Sequence, residues 1–225
     1  MKLSELAART RTSTATLKFW IREGILPPGE LRNQTTAVYG EGHVERIALV
    51  RTLREEFDLP IARIRALVVR IDDPRVPLLD IMEECQLIAT GLRAGDAGQD
   101  ARVPRLLADV GWPDATSVAR DALSAALRDA EAVGVTFGRE ALARYARMLA
   151  EFAREDIASI RTDGTRDAVA RALLQGAAAQ TRVLVALNQL AHTSAAISDA
   201  LARAQAGGTA LGAGPAEADP AGPAD

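Results

Sequence analysis

Residues 12–29 read TSTATLKFWIREGILPPG, and the way this stretch folds decides the rest. It opens on small hydroxylic residues. A Ser or Thr oxygen can accept a bond from the free N–H groups of a helix's first turn, so Thr12 or Ser13 is expected to cap a helix over about 14–23. Leu17, Trp20 and Ile21 fall at i, i+3 and i+4 and share an inward face. Thr14, Ala15, Lys18, Phe19 and Arg22 fall on the outward side. Gly24 suits the left-handed residue that ends a helix, and Pro27-Pro28 prevent continuation. Upstream, LSELAART reads as a shorter helix over 5–10, capped by Ser4 and burying Leu6, and TRTS turns between the two. Two short helices joined by a tight turn are a helix-turn-helix.

Working outward, PPGELRNQTTAVYGEG (27–42) combines turn residues with the β-prone TTAVY, predicting a small hairpin, or wing, over 29–40. HVERIALVRTLREEF (43–57) is amphipathic, with Val44, Ile47, Val50, Leu53 and Phe57 inward. DLPIARIRALVVRI (58–71) is entered through Pro60 and turns Ile61, Ile64, Leu67, Val68 and Ile71 inward. DDPRVP (72–77) is a hinge. In PLLDIMEECQLIATGL (77–92), Leu78, Ile81, Cys85, Ile88 and Leu92 recur at spacings of 3, 4, 3 and 4. That is the seam of a coiled coil as well as the stripe of an ordinary core helix; the partner-helix reading is the one favoured. RAGDAGQDARVP (93–104) is a loop, followed by a short helix over 105–110. Further helices are expected over 115–133, 139–160 and 166–205. The centre of the last, GAAAQTRVLVALNQLA, is apolar on most sides, which places it inside a bundle or across a dimer interface. Ala, Gly, Pro and acidic residues dominate the end of the chain, so 207–225 reads as a disordered tail.

The bulk composition agrees with a helical protein. The chain has 225 residues, 48% hydrophobic and 25% charged, but only 4% aromatic, so its core must be built from Ala, Leu, Val and Ile. One cysteine allows no disulfide and no cysteine metal cluster within a chain, which fits the cytoplasm. MKLSELAART carries Glu5 and no apolar stretch, unlike a signal peptide. No apolar run reaches the ~18–20 residues of a membrane span. The net charge of −3 argues against nucleic acid, but its distribution reverses that. Residues 1–72 hold 12 of the 27 basic and 9 of the 30 acidic residues, net +3, leaving the remainder at −6. A basic front end on an acidic body suggests a division of labour.

Catalysis is not expected. No G-x-S-x-G, phosphate-binding loop or H-E-x-x-H is present. His43 and His192 are the only histidines and stand alone, and Cys85 falls on an apolar stripe. No catalytic residue, cofactor or metal site is assigned. A helix-turn-helix instead reads DNA by laying its second helix in the major groove. Thr14, Ala15 and Thr16 supply a small outward face near that helix's start, where a methyl group can meet a thymine methyl. Lys18 and Arg22 can reach phosphates, Phe19 can pack on the sugar-phosphate backbone, and Trp20 anchors the helix to the core.

The stretch from LSELAARTRTSTATLKFWIREGILPP through TTAVYGEGHVERIALVRTLREEFDLPIARIRALV resembles the N-terminal domain of MerR-family transcriptional regulators. Those begin with a similar E-L-A segment, continue through S-x-x-T-L-[RK] and two aromatics, then E-G, two aliphatics and Pro. A wing ending in Tyr and an E-R-[aliphatic] helix follow. Ser13, Thr16, Leu17, Lys18, Phe19, Trp20, Arg22, Glu23 and Gly24 stand at family positions. Lys18 replaces the usual phosphate-contacting Arg, Phe19 the usual Tyr, and Ala15 a commonly basic residue. Arg11 stands where the turn usually has Gly, so it is expected to adopt a left-handed conformation and aim its charge at DNA. The wing LRNQTTAVY lacks the usual Gly-Tyr-Arg run; Arg32, Asn33, Gln34, Thr36 and Tyr39 are its candidate contacts.

The resemblance implies a homodimer on a (pseudo)palindromic promoter site, joined by the helix after the DNA-binding domain, with RNA polymerase as a further partner. Leu78, Ile81, Cys85, Ile88 and Leu92 are the residues it points to for pairing. The helical remainder has a weaker resemblance, through helix pattern and composition, to the effector domains of TetR-type repressors. That implies a small apolar effector near Trp112, Phe137, Tyr145, Met148, Phe152 and His192, for each of which core packing is the preferred alternative. The expected architecture is therefore all-α: a winged helix-turn-helix DNA-binding domain with a small β-wing over 1–72, a hinge and connecting helix over 73–99, a helical effector and dimerisation domain over 100–206, then the tail. A helical protein-interaction adaptor that has lost specific DNA affinity is the competing reading.

Overall fold

The computed structural model describes residues 1–32, 37–93, 98–160 and 162–211. Among them are nine helices and one two-stranded antiparallel hairpin. The first helix, α1 (Leu3–Thr10), starts two residues earlier than expected. Ser4 lies in its first turn; the capping position is Lys2, whose backbone N–H donates to the Glu5 carboxylate at 2.7 Å. At the other end Arg11 adopts φ 52°, ψ 38°. Its N–H and that of Thr12 donate back to the carbonyls of Ala8 (3.3 Å) and Ala7 (3.0 Å), satisfying groups the helix leaves open. The expected left-handed residue is thus present, with an arginine in it.

Helix α2 (Thr14–Arg22) begins as expected. The Ser13 hydroxyl accepts from the Thr16 N–H at 3.0 Å and contacts the Thr16 hydroxyl at 2.8 Å. It ends at Gly24 (φ 69°), where the Gly24 and Ile25 N–H groups return to the carbonyls of Ile21 and Trp20. That turn delivers Ile25 and Leu26 straight into the interior, where both are buried. The hairpin pairs β1 (Glu30–Leu31) with β2 (Ala37–Val38). Helices α3 (Glu41–Glu55) and α4 (Ile61–Asp72) follow, then α5 (Leu78–Thr90). Leu6, Leu17, Trp20, Ile47, Val50, Leu53, Ile64, Leu67, Val68 and Ile71 close one core beneath the helix-turn-helix.

The chain divides into a unit over Met1–Ala178 and a second over Ala179–Asp225. Within the first, the helices after α5 contribute to two separate cores. Helices α6 (Arg102–Val110), α7 (Val118–Ala132) and α8 (Arg139–Ser159) build a small core of their own from Val103, Leu106, Leu127, Leu142, Ala143 and Ala146. Helix α9 (Arg166–Leu211) begins elsewhere: Val169, Ala170, Leu173 and Leu174 join the core beneath the helix-turn-helix, together with Ile81 and Cys85 of α5. The described part of the second unit is the remainder of α9, which runs past the expected end at 205 to Leu211. The rest of the expected tail lies outside the described residues. Among these residues no helix is long and apolar enough to cross a membrane, and no cluster of three His, Cys, Asp or Glu could hold a metal ion.

Candidate nucleic-acid interface

The start of α2 is held rigidly, which is what a recognition helix needs. Ser13 and Thr16 occupy each other's hydroxyls in the N-cap, so their first role here is to hold the helix's opening turn. Leu17 and Trp20 are buried beneath it. The opposite face, Thr14, Ala15, Lys18, Phe19 and Arg22, is open to solvent. Phe19 is 37% exposed, so a ring stands at the surface between two cations.

Ion pairing separates the basic residues into two groups. Arg9 pairs with Glu41 at 2.5 Å, Arg51 with Glu55 at 2.9 Å, and Arg65 with Glu23. The Glu55 carboxyl is held below its usual range by the Arg51 hydrogen bonds. Arg11, Lys18 and Arg22 make no ion pair with any described residue, and all three are exposed. Unpaired cations around an exposed helix start are the electrostatic footprint of a phosphate-binding surface. Beside α2 runs a groove of about 520 Å³ bordered by Arg11, Ser13, Thr16, Phe19, Arg51 and Arg54, with Glu55, the partner of Arg51, also on its wall. Arg51 also donates to the Thr10 carbonyl at 3.2 Å, tying α3 to the turn. Arg51 and Arg54 were not singled out from the sequence. Spaced three apart on an amphipathic helix, they look like ordinary solvated charges, and only the fold brings them to α2.

The wing is less well matched. Arg32 is exposed beside β1, whereas Asn33, Gln34 and Thr36 lie outside the described residues. Tyr39 is not a surface contact: it is 7% exposed. Its ring crosses His43 edge-on at 5.0 Å and lies over Gly29, where an added Cβ would meet the ring at 2.8 Å. The aromatic closes the open end of the hairpin, and its backbone N–H donates to the Met1 carbonyl at 2.9 Å.

Residues 1–70 match the family described as MerR HTH family regulatory protein. They are a MerR-family helix-turn-helix domain. A crystal structure of a candidate transcriptional regulator from Streptomyces coelicolor A3(2) is 27% identical to the chain, with a TM-score of 0.59 over 86% of this chain and 95% of that one. None of the curated proteins matches the chain. The MerR-type domain and this neighbour point to a DNA-binding transcriptional regulator rather than an enzyme.

Beyond the MerR-type domain the sequence-predicted residues are dispersed. Ile81 and Cys85, expected on a face offered to a partner, are fully buried in the chain's own core, and Leu78 and Ile88 pack against it. Burial pushes the Cys85 thiol up to about 12, with the Glu84 charge adding to it. Leu92 is exposed beyond the end of α5. Of the six residues expected around an effector, five are exposed: Trp112, Tyr145, Met148, Phe152 and His192. Phe137 lines a recess of about 360 Å³ with Leu106, Leu142, Arg102, Arg105 and Arg139. Helix α8 uses its inward face for Leu142 and the alanines Ala143, Ala146 and Ala150, which leaves Tyr145, Met148 and Phe152 on the outside.

The residue that binds the parts together was not foreseen. Arg46 of α3 is 3% exposed. Its guanidinium donates to Asp167 at the start of α9 (2.8 Å), to both oxygens of Asp72 at the end of α4 (2.5 and 3.1 Å), and to the Ile25 carbonyl (3.3 Å). Arg166 adds bonds to the carbonyls of Asp73 (2.7 Å) and Val76 (2.5 Å). The first turn of α9 is therefore fastened to the DNA-binding domain by charge as well as by apolar packing.

Proposed function

We propose that the protein is a sequence-specific regulator that binds a (pseudo)palindromic promoter site as a homodimer, with α2 in the major groove. The observation that carries this is the exposed face of α2: Thr14 and Ala15 at its start, with Lys18, Phe19 and Arg22 beyond them and unpaired Arg11 beside them. Two small residues can approach base edges, and the cations around them can hold phosphates on either side. The adaptor reading lacks this support, because a lost DNA surface has no reason to keep its cations unpaired while neighbouring arginines are neutralised. The fastening of α9 by Arg46 and Arg166 supports a further element: a change felt by α9 would be transmitted to α3, which packs directly behind the turn. A small apolar effector would find apolar walls in the recess at Phe137, beside Leu106 and Leu142. Action at promoters makes RNA polymerase a partner in the same reading.

The test is fluorescence anisotropy on DNA from upstream of the protein's own gene and on scrambled DNA, across a salt series. Preference for the upstream DNA with a steep salt slope is expected. Lys18→Ala with Arg22→Ala should weaken binding and flatten the slope by about two phosphate contacts per subunit. Binding that is indifferent to these substitutions would remove α2 from the interface.

A further inference from the structure

The recess of about 360 Å³ at Phe137 has two kinds of wall. Arg102, Arg105 and Leu106 stand at i, i+3 and i+4 on α6, and Arg139 and Leu142 at i and i+3 on α8, so each helix turns one face into it. Leu106 and Leu142 are buried, and Phe137 packs against the same small core. Arg105 and Arg139 are exposed, and Arg102 is partly so. Among the described residues that line the recess, none is acidic.

Two of these arginines are fixed by carboxylates outside the recess. Arg102 donates through Nε and Nη2 to Asp100 (2.9 and 2.6 Å) and through Nη2 to Glu131 (3.0 Å). Arg139 donates through Nε and Nη2 to Asp109 (2.6 and 2.5 Å). In both, one edge of the guanidinium is used and the Nη1 group makes no bond to a described residue. A guanidinium has five N–H donors, so each can take a further acceptor. Arg105 makes no ion pair with any described residue, although it stands beside buried leucine. The Arg102 hydrogen bonds hold the Asp100 carboxyl at about 2, and those of Arg139 hold Asp109 below its usual range. Arg128 and Arg147 add to that pull, so cations outnumber carboxylates around the recess.

We propose that the recess binds an organic monocarboxylate, its apolar body against Leu106, Phe137 and Leu142 and its carboxylate on Arg105 and the open Nη1 groups of Arg102 and Arg139. The inference rests on the effector reading above and gives that effector a negative charge. A neutral apolar molecule would cover the same walls and leave the cations without an acceptor, and a cation would meet only like charge. Carboxylate and guanidinium form charge-assisted bonds, roughly twice as strong as neutral ones. The volume lies at the low end of the ~300–1,000 Å³ of small-molecule sites. At the ~30 Å³ that a water molecule claims in the liquid, it holds about a dozen non-hydrogen atoms, the size of a medium-chain fatty acid or a substituted aromatic acid.

Calorimetric titration of the full-length protein with octanoate, octanol and octylammonium, which share one apolar chain, decides the charge. Octanoate should bind once per chain, octanol at least tenfold more weakly, and octylammonium not measurably. Arg105→Gln alters an exposed residue, so circular dichroism should stay unchanged. The variant should lose about tenfold to a hundredfold in octanoate affinity, the worth of a hydrogen bond to a charged group, and keep its affinity for octanol. Octanoate binding that Arg105→Gln leaves intact would overturn the proposal. Octanol binding as tightly as octanoate would also overturn it, while leaving an apolar effector in place. Binding of none of the three at millimolar concentration would refute both the monocarboxylate and the recess as an effector site.

Discussion

Replacing Arg46 by methionine should remove the bond between the DNA-binding domain and the root of α9. Its guanidinium is 4% exposed, against 12% for the Asp167 side chain and 52% for Asp72. Taking one partner from a buried ion pair costs about 3–5 kcal/mol, because the other charge is left without water or counterion. Asp72 is half in water and regains solvation, so its share is nearer the ~0–1 kcal/mol of an exposed pair. Asp167 is the stranded charge, and a loss of about 3 kcal/mol is expected, a large share of the ~5–15 kcal/mol that holds a domain. Combining Arg46→Met with Asp167→Leu should restore most of it, since an apolar pair of similar volume is often as good as a buried ion pair. Acidity provides an independent check. Burial already pushes the Asp167 carboxyl above its usual range, and the Arg46 hydrogen bond pulls it part of the way back. Without Arg46 its folded-state pKa must rise further above the unfolded value. Below that raised pKa the folded variant takes up a proton that the unfolded chain does not yet hold, so the variant's deficit should shrink as pH falls through it. Urea unfolding at pH 7.5 and pH 5, with matched m-values, measures both effects. A neutral-pH loss under about 1 kcal/mol, or a deficit that grows on acidification, would refute the view of Arg46 as a buried tie.

Arg11 sits at φ 52°, a conformation costing a residue with a Cβ roughly 1–2 kcal/mol that glycine avoids. Arg11→Gly should therefore raise thermal stability while weakening DNA binding and reducing its salt slope; stronger binding would exclude Arg11 from the interface. The Cys85 thiol, pushed up to about 12 and fully buried, should not react with an aromatic disulfide reagent at pH 8 in the native protein and should titrate as one thiol per chain in denaturant. Rapid native reaction would show that α5 opens away from the core.

The recognition helix was legible because its information is local. A hydroxyl cap, a Gly-Ile-Leu-Pro stop and the 17/20/21 inward face all act within one or two turns of chain, and Arg11 betrayed its left-handed turn by standing where glycine usually does. Tyr39 was misread because an aromatic in a wing looks the same whether it faces DNA or lies over Gly29; the difference is made by a neighbour ten residues away. Arg46 was invisible for a stronger reason. Its partners are 26 and 121 residues distant, and a single arginine on an amphipathic helix ordinarily reads as solvated. The two apolar stripes are the most instructive case. Helix α5 and the second half of α9 carry the same 3-and-4 spacing, and the spacing says only that a face is to be buried, not by what. On α5 the face closes on the chain's own core, which Ile81 and Cys85 share with the first turns of α9. On the second half of α9 the face has no such cover in its own unit. A periodic stripe becomes evidence for a partner only once the chain's own side chains have been shown not to cover it.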